Sequence, residues 1–338
     1  MSAQHHKHCL EVVRRLDWEG YTASLFVRTQ PRRDAVLAVR ALNAELASIG
    51  GGGGGGGGNT NTHATQHADG NTNVGLSPAS SRTRSQLAAS MRFSFWRSVV
   101  DSAYGSGAAP QHPIAAALRE SNEGLRSARG GNNGGLTKAF LVRLVAAHEQ
   151  EAAGVGFATL GEAEARLEAL HAPLLYLQLE AVGVRDFGVD GAASHLGVAN
   201  GLVAQLRRLA AAPVVGVGVG VGVGVGVGVA GVPLPADLLH RHGLATEDFV
   251  RAAAAAAAAA SPSPPLPPIA DAVFELATRA NDRLATAKHD LALLPNLPKE
   301  STQALLSLVA SDLFLKRLEA VDFDIFNPRL RNRDWRYL

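Results

Sequence analysis

Residues Arg33–Ile49 read RDAVLAVRALNAELASI, and this stretch decides the fold class. It holds neither proline nor glycine and is rich in Ala, Leu and Val, so it predicts a helix that ends where the glycine run begins at Gly50. Other stretches repeat the pattern. Ser85–Tyr104 carries Met91, Phe95 and Val99 four apart, and Leu136–Glu151 sets Phe140, Leu144 and Ala147 on one side. Thr159 followed by Glu162 is a capping-box pair that opens a run to Val182. Leu167, Leu170, Leu174 and Leu177 form its stripe, and Pro173 predicts a kink by removing a helix hydrogen bond. Gly188–Ala212, Thr246–Ala260, Ile269–Leu294 and Ser301–Ala320 continue the set, the last with Leu306, Val309, Ala310, Leu313 and Phe314 on one face. Strand signals are confined to a Val-Gly alternation. The expected fold is all-α, a bundle of about nine helices.

Three low-complexity segments interrupt the pattern, at 50–84, 213–231 and 252–268. The chain, 1–338, is expected to be one domain that carries them as disordered insertions. Gly50–Gly58 supplies 9 of the 36 glycines and Ala252–Ala260 is an unbroken alanine run, so the 46% hydrophobic content overstates the core. The single cysteine, Cys9, excludes a disulfide framework and a cysteine-based zinc site. A formal charge of +2 provides no global field for nucleic acid, and no such partner is expected. Val214–Val232 is uncharged, but each interior glycine costs about 1 kcal/mol of helix propensity, so no membrane span is predicted there. The opening MSAQHHKHCLEVVRRLDWEG lacks a signal-peptide core, and Glu11, Asp17 and Glu19 make it a poor transit peptide.

Some local groups invite sharper readings. His5, His6 and His8 beside Cys9 are soft-metal ligands by type, but read better as incidental histidines of a flexible terminus. Asp322 and Asp324 lie among Phe323, Ile325 and Phe326, which favours a packed terminal loop over a cation site. Arg329, Arg331, Arg333 and Arg336 flank Trp335 and Tyr337; a solvated terminus is the plain reading, and a seat at an anionic lipid surface the sharper one.

Taken in order, Asp17–Phe26 (DWEGYTASLF), Arg33–Ala47, Leu196–Arg207 (LGVANGLVAQLR) and Val232–Pro235 (VPLP) resemble the squalene/phytoene synthase family. That resemblance implies an isoprenoid-synthase-type helical bundle and head-to-head condensation of prenyl diphosphates, with two D-x-x-x-D motifs on facing helices holding magnesium. Carboxylates at i and i+4 share a helix face and converge on one hard cation. Here the matching positions carry Asn43 and Ala47 in the first motif, and Arg208 and Ala212 in the second. No Asp or Glu stands between Asp190 and Asp237, so no register of the second helix restores the site. Catalytic residues, a metal site and a cofactor are therefore not expected; Glu45 and Arg207 remain as candidate pocket residues, with Glu45 equally suited to a structural ion pair.

ALNAELA (Ala41–Ala47) together with VDFDIFNP (Val321–Pro328) is similar to a branch of that family that serves the assembly of mitochondrial respiratory complex I. That likeness implies a non-catalytic protein on the matrix side of the inner membrane, acting on complex I subunits or other assembly factors. A prenyl lipid is a candidate guest of its pocket, and Arg329, Arg331, Arg333, Trp335 and Arg336 are candidate membrane contacts. The alternatives left open are a magnesium-dependent head-to-head prenyl diphosphate synthase and a lipid-binding module.

Overall fold

The computed structural model describes residues 1–50, 78–105, 110–129, 134–215, 234–258, 267–294, 297 and 299–331. Among these residues every regular element is helical: α1 (Ala3–Leu16), α2 (Trp18–Leu25), α3 (Gln30–Gly50), α4 (Pro78–Ser102), α5 (Pro113–Arg129), α6 (Lys138–Ala152) and α7 (Leu160–Val182). They are followed by α8 (Phe187–Val215), α9 (Ala236–Arg241), α10 (Thr246–Ala258), α11 (Pro267–Leu293), α12 (Lys299–Ala304), α13 (Ser307–Glu319) and a 3-10 turn at Pro328–Leu330. The all-α expectation holds, with more and shorter pieces than the periodicity suggested. Residues 216–233 of the Val-Gly stretch, and 51–77, lie outside the described residues.

Two long helices organise the bundle. α8 packs between α7 and α11, and α3 is surrounded by α1, α5, α6 and α7. The α7–α8 contact is close because α8 presents Gly197 and Gly201 one turn apart. A methyl group at Gly197 would sit 2.8 Å from the backbone nitrogen of Ala172, and one at Gly201 would sit 2.6 Å from Cβ of Leu167. α7 begins as its capping pair predicts: Thr159 Oγ1 accepts from the Glu162 amide at 3.1 Å, and Glu162 accepts from the Ala158 amide. It ends at Gly183, whose φ of 98° is the left-handed cap that glycine supplies without strain. Pro173 lies inside this helix, which continues on both sides of it.

The amino terminus departs from expectation. The chain there is not a flexible tail but α1, whose first turn is capped by Ser2. Its histidines are ties: His6 Nδ1 lies 2.7 Å from Asp34 of α3, and His5 Nδ1 lies 3.0 Å from Glu120 of α5. Cys9 is fully buried, and burial reinforced by Asp34 and Glu120 pushes its thiol up to about 12, so it is an inert core residue rather than a ligand. At the other end, Ser301–Ala320 is not one helix; the break at Leu305 and Leu306 separates α12 from α13. Asp324 is buried and caps a turn, accepting from the Phe326 amide at 3.2 Å, and the preceding Asp322 and Phe323 take left-handed φ values of 52° and 58°. The Asp-x-Asp pair thus serves a packed loop. Arg331 turns back to donate to the Phe326 carbonyl at 3.0 Å, while Arg333, Trp335 and Arg336 lie outside the described residues.

Candidate functional site

A cavity of about 600 Å³ opens between α2, α3, α7, α8 and the α12–α13 junction. Periodicity explains which side chains reach it. From α3 come Arg40, Asn43, Ala44, Ala47 and Ser48, and from α8 come Asn200, Val203, Ala204 and Arg207, each set following one helical face. Helix α7 contributes His171, Leu174, Leu175 and Gln178, whereas Leu16, Phe26 and Val309 form an apolar rim that is partly open to solvent.

The cavity's charges are already paired. Arg40 is 6% exposed and donates to Asp17 Oδ2 at 2.7 Å and to Gln178 Oε1 at 3.1 and 2.8 Å. A side chain at Gly20 would overlap this Arg40–Asp17 pair, so glycine in DWEGY makes room for it. Across the opening, Arg207 holds both oxygens of Glu19 at 2.8 and 3.0 Å, donates to the Ala310 carbonyl, and stacks over Phe314. Both acids of the cavity wall, Asp17 and Glu19, therefore have arginine partners.

Of the residues singled out from sequence, Asn43, Ala47 and Arg207 come together on this cavity. Glu45 is not among its lining residues; it lies two positions, about 200°, around α3 from Asn43 and Ala47. Arg208 also points elsewhere, donating to Glu151 Oε1 at 3.1 Å and to Gln205 at 3.4 Å. Ala212 belongs to the last turns of α8. Behind Asn43 lies a group that the sequence reading missed. His148 of α6 places Nε2 2.9 Å from Asn43 Oδ1, with the neutral imidazole donating to the amide oxygen. Burial, then the nearby His171 and Arg208, drive the His148 pKa down to about 3; burial and Arg208 drive His171 to about 4. The signal for His148 was its place among Leu141, Leu144, Val145 and Ala147 on the buried face of α6, where a polar residue needs a partner.

This chemistry does not suit a divalent cation. Magnesium demands several oxygen ligands free of other partners. Where the family motif calls for aspartates, α3 offers an amide already bonded to a histidine, and α8 an arginine bonded to Glu151. Among the described residues no three His, Cys, Asp or Glu side chains are grouped to hold a metal ion. The arrangement offers instead an apolar-rimmed hollow with neutral or internally paired polar groups in its wall, suited to a guest that brings little charge.

Comparison with known proteins places this geometry in a family. The chain matches the family described as squalene/phytoene synthase over residues 13–336. It is 30% identical over 328 residues to a Bos taurus protein named NADH dehydrogenase (ubiquinone) complex I, assembly factor 6, a match that spans 97% of this chain and 78% of the relative. The Homo sapiens protein of that name is 28% identical at the same coverage. Among solved structures, a dehydrosqualene synthase in complex with ligand shares the fold with a TM-score of 0.66 and 13% identity, covering 99% of this chain and 93% of that one. A squalene synthase from Alicyclobacillus acidocaldarius gives a TM-score of 0.61 at 13% identity, over 95% of each chain. With the helix order, the cavity and a family match over nearly its whole length in agreement, the chain belongs to the squalene/phytoene synthase family.

Proposed function

We propose that this protein is a non-catalytic member of its family that serves as an assembly factor for mitochondrial respiratory complex I, on the matrix side of the inner membrane. One observation carries the non-catalytic part: the polar groups at the degenerate motif positions are satisfied by protein partners, Asn43 by His148 and Arg208 by Glu151. Without acidic oxygens to bridge a metal to diphosphate, the leaving group's charge is not neutralised and ionisation is not assisted. The assembly part is supported by relatives of that name that align over 97% of this chain. Among the described residues no helix is long and apolar enough to cross a membrane; the contact with the inner membrane in this reading is a peripheral one. The partners are complex I subunits or other assembly factors.

The cavity supports a second element of this reading: it takes an apolar, prenyl-like lipid through its rim at Leu16, Phe26 and Val309, while Arg40 and Arg207 remain neutralised by Asp17 and Glu19. Arg329 and Arg331, with Arg333, Trp335 and Arg336 beyond them in sequence, form the basic and aromatic tail proposed for membrane contact. Deleting the protein from its host and measuring assembled complex I tests the role. Loss of the complex, restored by the wild-type chain, is the expected result; unchanged complex I overturns it. Incubation with geranylgeranyl or farnesyl diphosphate and Mg²⁺ is expected to give no condensed product, and turnover would overturn the non-catalytic reading.

A further inference from the structure

Helix α4 has two apolar stripes, and the bundle uses one of them. Phe93, Trp96, Val99 and Val100 are buried against the neighbouring helices. Leu87, Met91 and Phe95 follow one another at four-residue spacing; Leu87 and Met91 lie about 120–180° around the helix from Phe93 and Trp96, and Phe95 lies between the two rows. Leu87 is 62% exposed and Met91 67% exposed. Met91, Phe95 and Val99, four apart in sequence, form the helix that their spacing predicts but do not share one environment. Val99 is inside, Met91 is outside, and Phe95 lies at the margin beside His112.

The position of α4 shows why the second stripe stays uncovered. The helix runs antiparallel to α6: Arg97 pairs with Glu149, Asp101 with Lys138 at 2.7 Å, and Tyr104 donates to the Leu136 carbonyl at 2.5 Å. Because α6 ends at Ala152, the part of α4 before Phe93 overhangs that end by about 20 Å at 1.5 Å per residue. Among Gln86–Arg92 only Ala89 is even partly covered. From Pro78 to Val100 the helix contains Arg82, Arg84, Arg92 and Arg97 and no acidic residue. Of these, Arg97 has Glu149 as its counterion.

We propose that the amino-terminal half of α4 is an interfacial arm that lays Leu87 and Met91 into the surface of an anionic phospholipid bilayer. An exposed apolar row on a helical segment, Pro78–Val100, whose charged residues are all arginines has the composition of a helix that rests in the headgroup region. The one-signed charge sets the choice of occupant. A second copy of the same arm would bring arginine against arginine, whereas an anionic bilayer supplies the complementary charge and requires no shape match. The inference is independent of the assembly role, since it concerns the purified chain and lipid alone.

Flotation of the full chain with vesicles tests it, using phosphatidylcholine alone and phosphatidylcholine mixed with phosphatidylglycerol. Wild-type protein is expected to float with the mixed vesicles only, and to be released at about 0.5 M salt, where the Debye length is a few ångströms. The double variant Leu87→Glu/Met91→Glu is expected to lose binding about tenfold or more through lost apolar burial and added repulsion. A control, Phe187→Glu, at a residue 95% exposed on another helix, should float like wild type. Circular dichroism and the melting temperature should match wild type in both, because neither site is in the core. Equal flotation of the double variant and wild type, or no flotation of wild type, overturns the proposal. A concentration-dependent dimer that only the double variant loses would overturn it in favour of self-association.

Discussion

Helix α7 directs polar side chains toward two different neighbours and satisfies them by different means. Toward α11 it buries a charge. Glu164 is 7% exposed, with Arg279 on both oxygens at 2.5 and 3.0 Å and Arg283 on the same two at 3.1 and 2.7 Å. Toward the cavity, α7 and its neighbours avoid buried charge where they can: His171 and His148 are held neutral, and Arg40, the one buried guanidinium there, takes Gln178 as well as Asp17. Ion pairing and neutral hydrogen bonding are alternative ways to pay for desolvation. The difference teaches that carboxylates in this molecule are used where they join helices, and that the two cavity acids follow the same pattern. Neither region leaves an unpaired oxygen for a metal.

The largest effect is expected on the charged side. Glu164→Gln removes the anion shared by two arginines and leaves an amide that satisfies only part of the fork. A broken buried pair costs about 3–5 kcal/mol, but Arg279 and Arg283 are 43% and 29% exposed and can regain water, so a loss of about 2 kcal/mol is expected. Urea unfolding with an unchanged slope would measure it. A loss below about 0.5 kcal/mol would show that the pair is no more than a surface bridge.

A second test concerns the helix that both regions share. Gly197→Ala would put a methyl 2.8 Å from the α7 backbone and force the two helices apart, at an expected cost of about 1–3 kcal/mol. Gly191, on the same helix, has open space around its missing Cβ, so Gly191→Ala should instead stabilise by about 0.5–1 kcal/mol through helix propensity. Thermal melts of the two variants should move in opposite directions. A shared direction would refute the close-approach role of Gly197.

These contrasts show what the sequence could disclose. Helices α3, α7 and α8 are legible because their apolar residues keep step over many turns, and the i, i+4 relation of Asn43 and Ala47 correctly set them on one face. Helix α5 is less legible because Ser121, Asn122 and Gly124 interrupt PIAAALRESNEGLRSAR, and its burial of Asn122 comes from a contact with the Leu136 amide at 2.9 Å. Helix α1 was hidden because three of its histidines look like a loose tail until Asp34 and Glu120 are brought beside it. The cavity wall depends on pairs far apart in the chain. Arg40 meets Gln178 across 138 residues and Arg207 meets Glu19 across 188, and no local periodicity encodes such meetings. The outer row of α4 shows a related limit: spacing marks a row of apolar residues, but only the ends of neighbouring helices decide how far along it the bundle reaches.

The finest distinction between the two regions lies in pH. Both the clamp and the histidines weaken the fold in acid, but in different windows. Burial works to raise the Glu164 pKa and is outweighed by Arg283 and Arg279, which leave it below the usual carboxylate value; its stabilisation is present above the unfolded carboxyl pKa and is lost as pH falls through the lower, folded one. For His148 the folded pKa of about 3 lies below the unfolded value of 6.5, so the unfolded chain binds the proton first. Stability then falls as pH drops below that unfolded value, by at most about 1.4 kcal/mol per pH unit for one group. His148→Gln keeps a donor for Asn43 but cannot titrate. Subtracting its stability profile from that of wild type should isolate a slope between about pH 6.5 and 5, above the range in which the Glu164 contribution begins to be lost. Equal slopes for the two proteins across that interval would mean that His148 is charged in the native state, and the cavity side would then solve its polar problem by pairing, as α11 does.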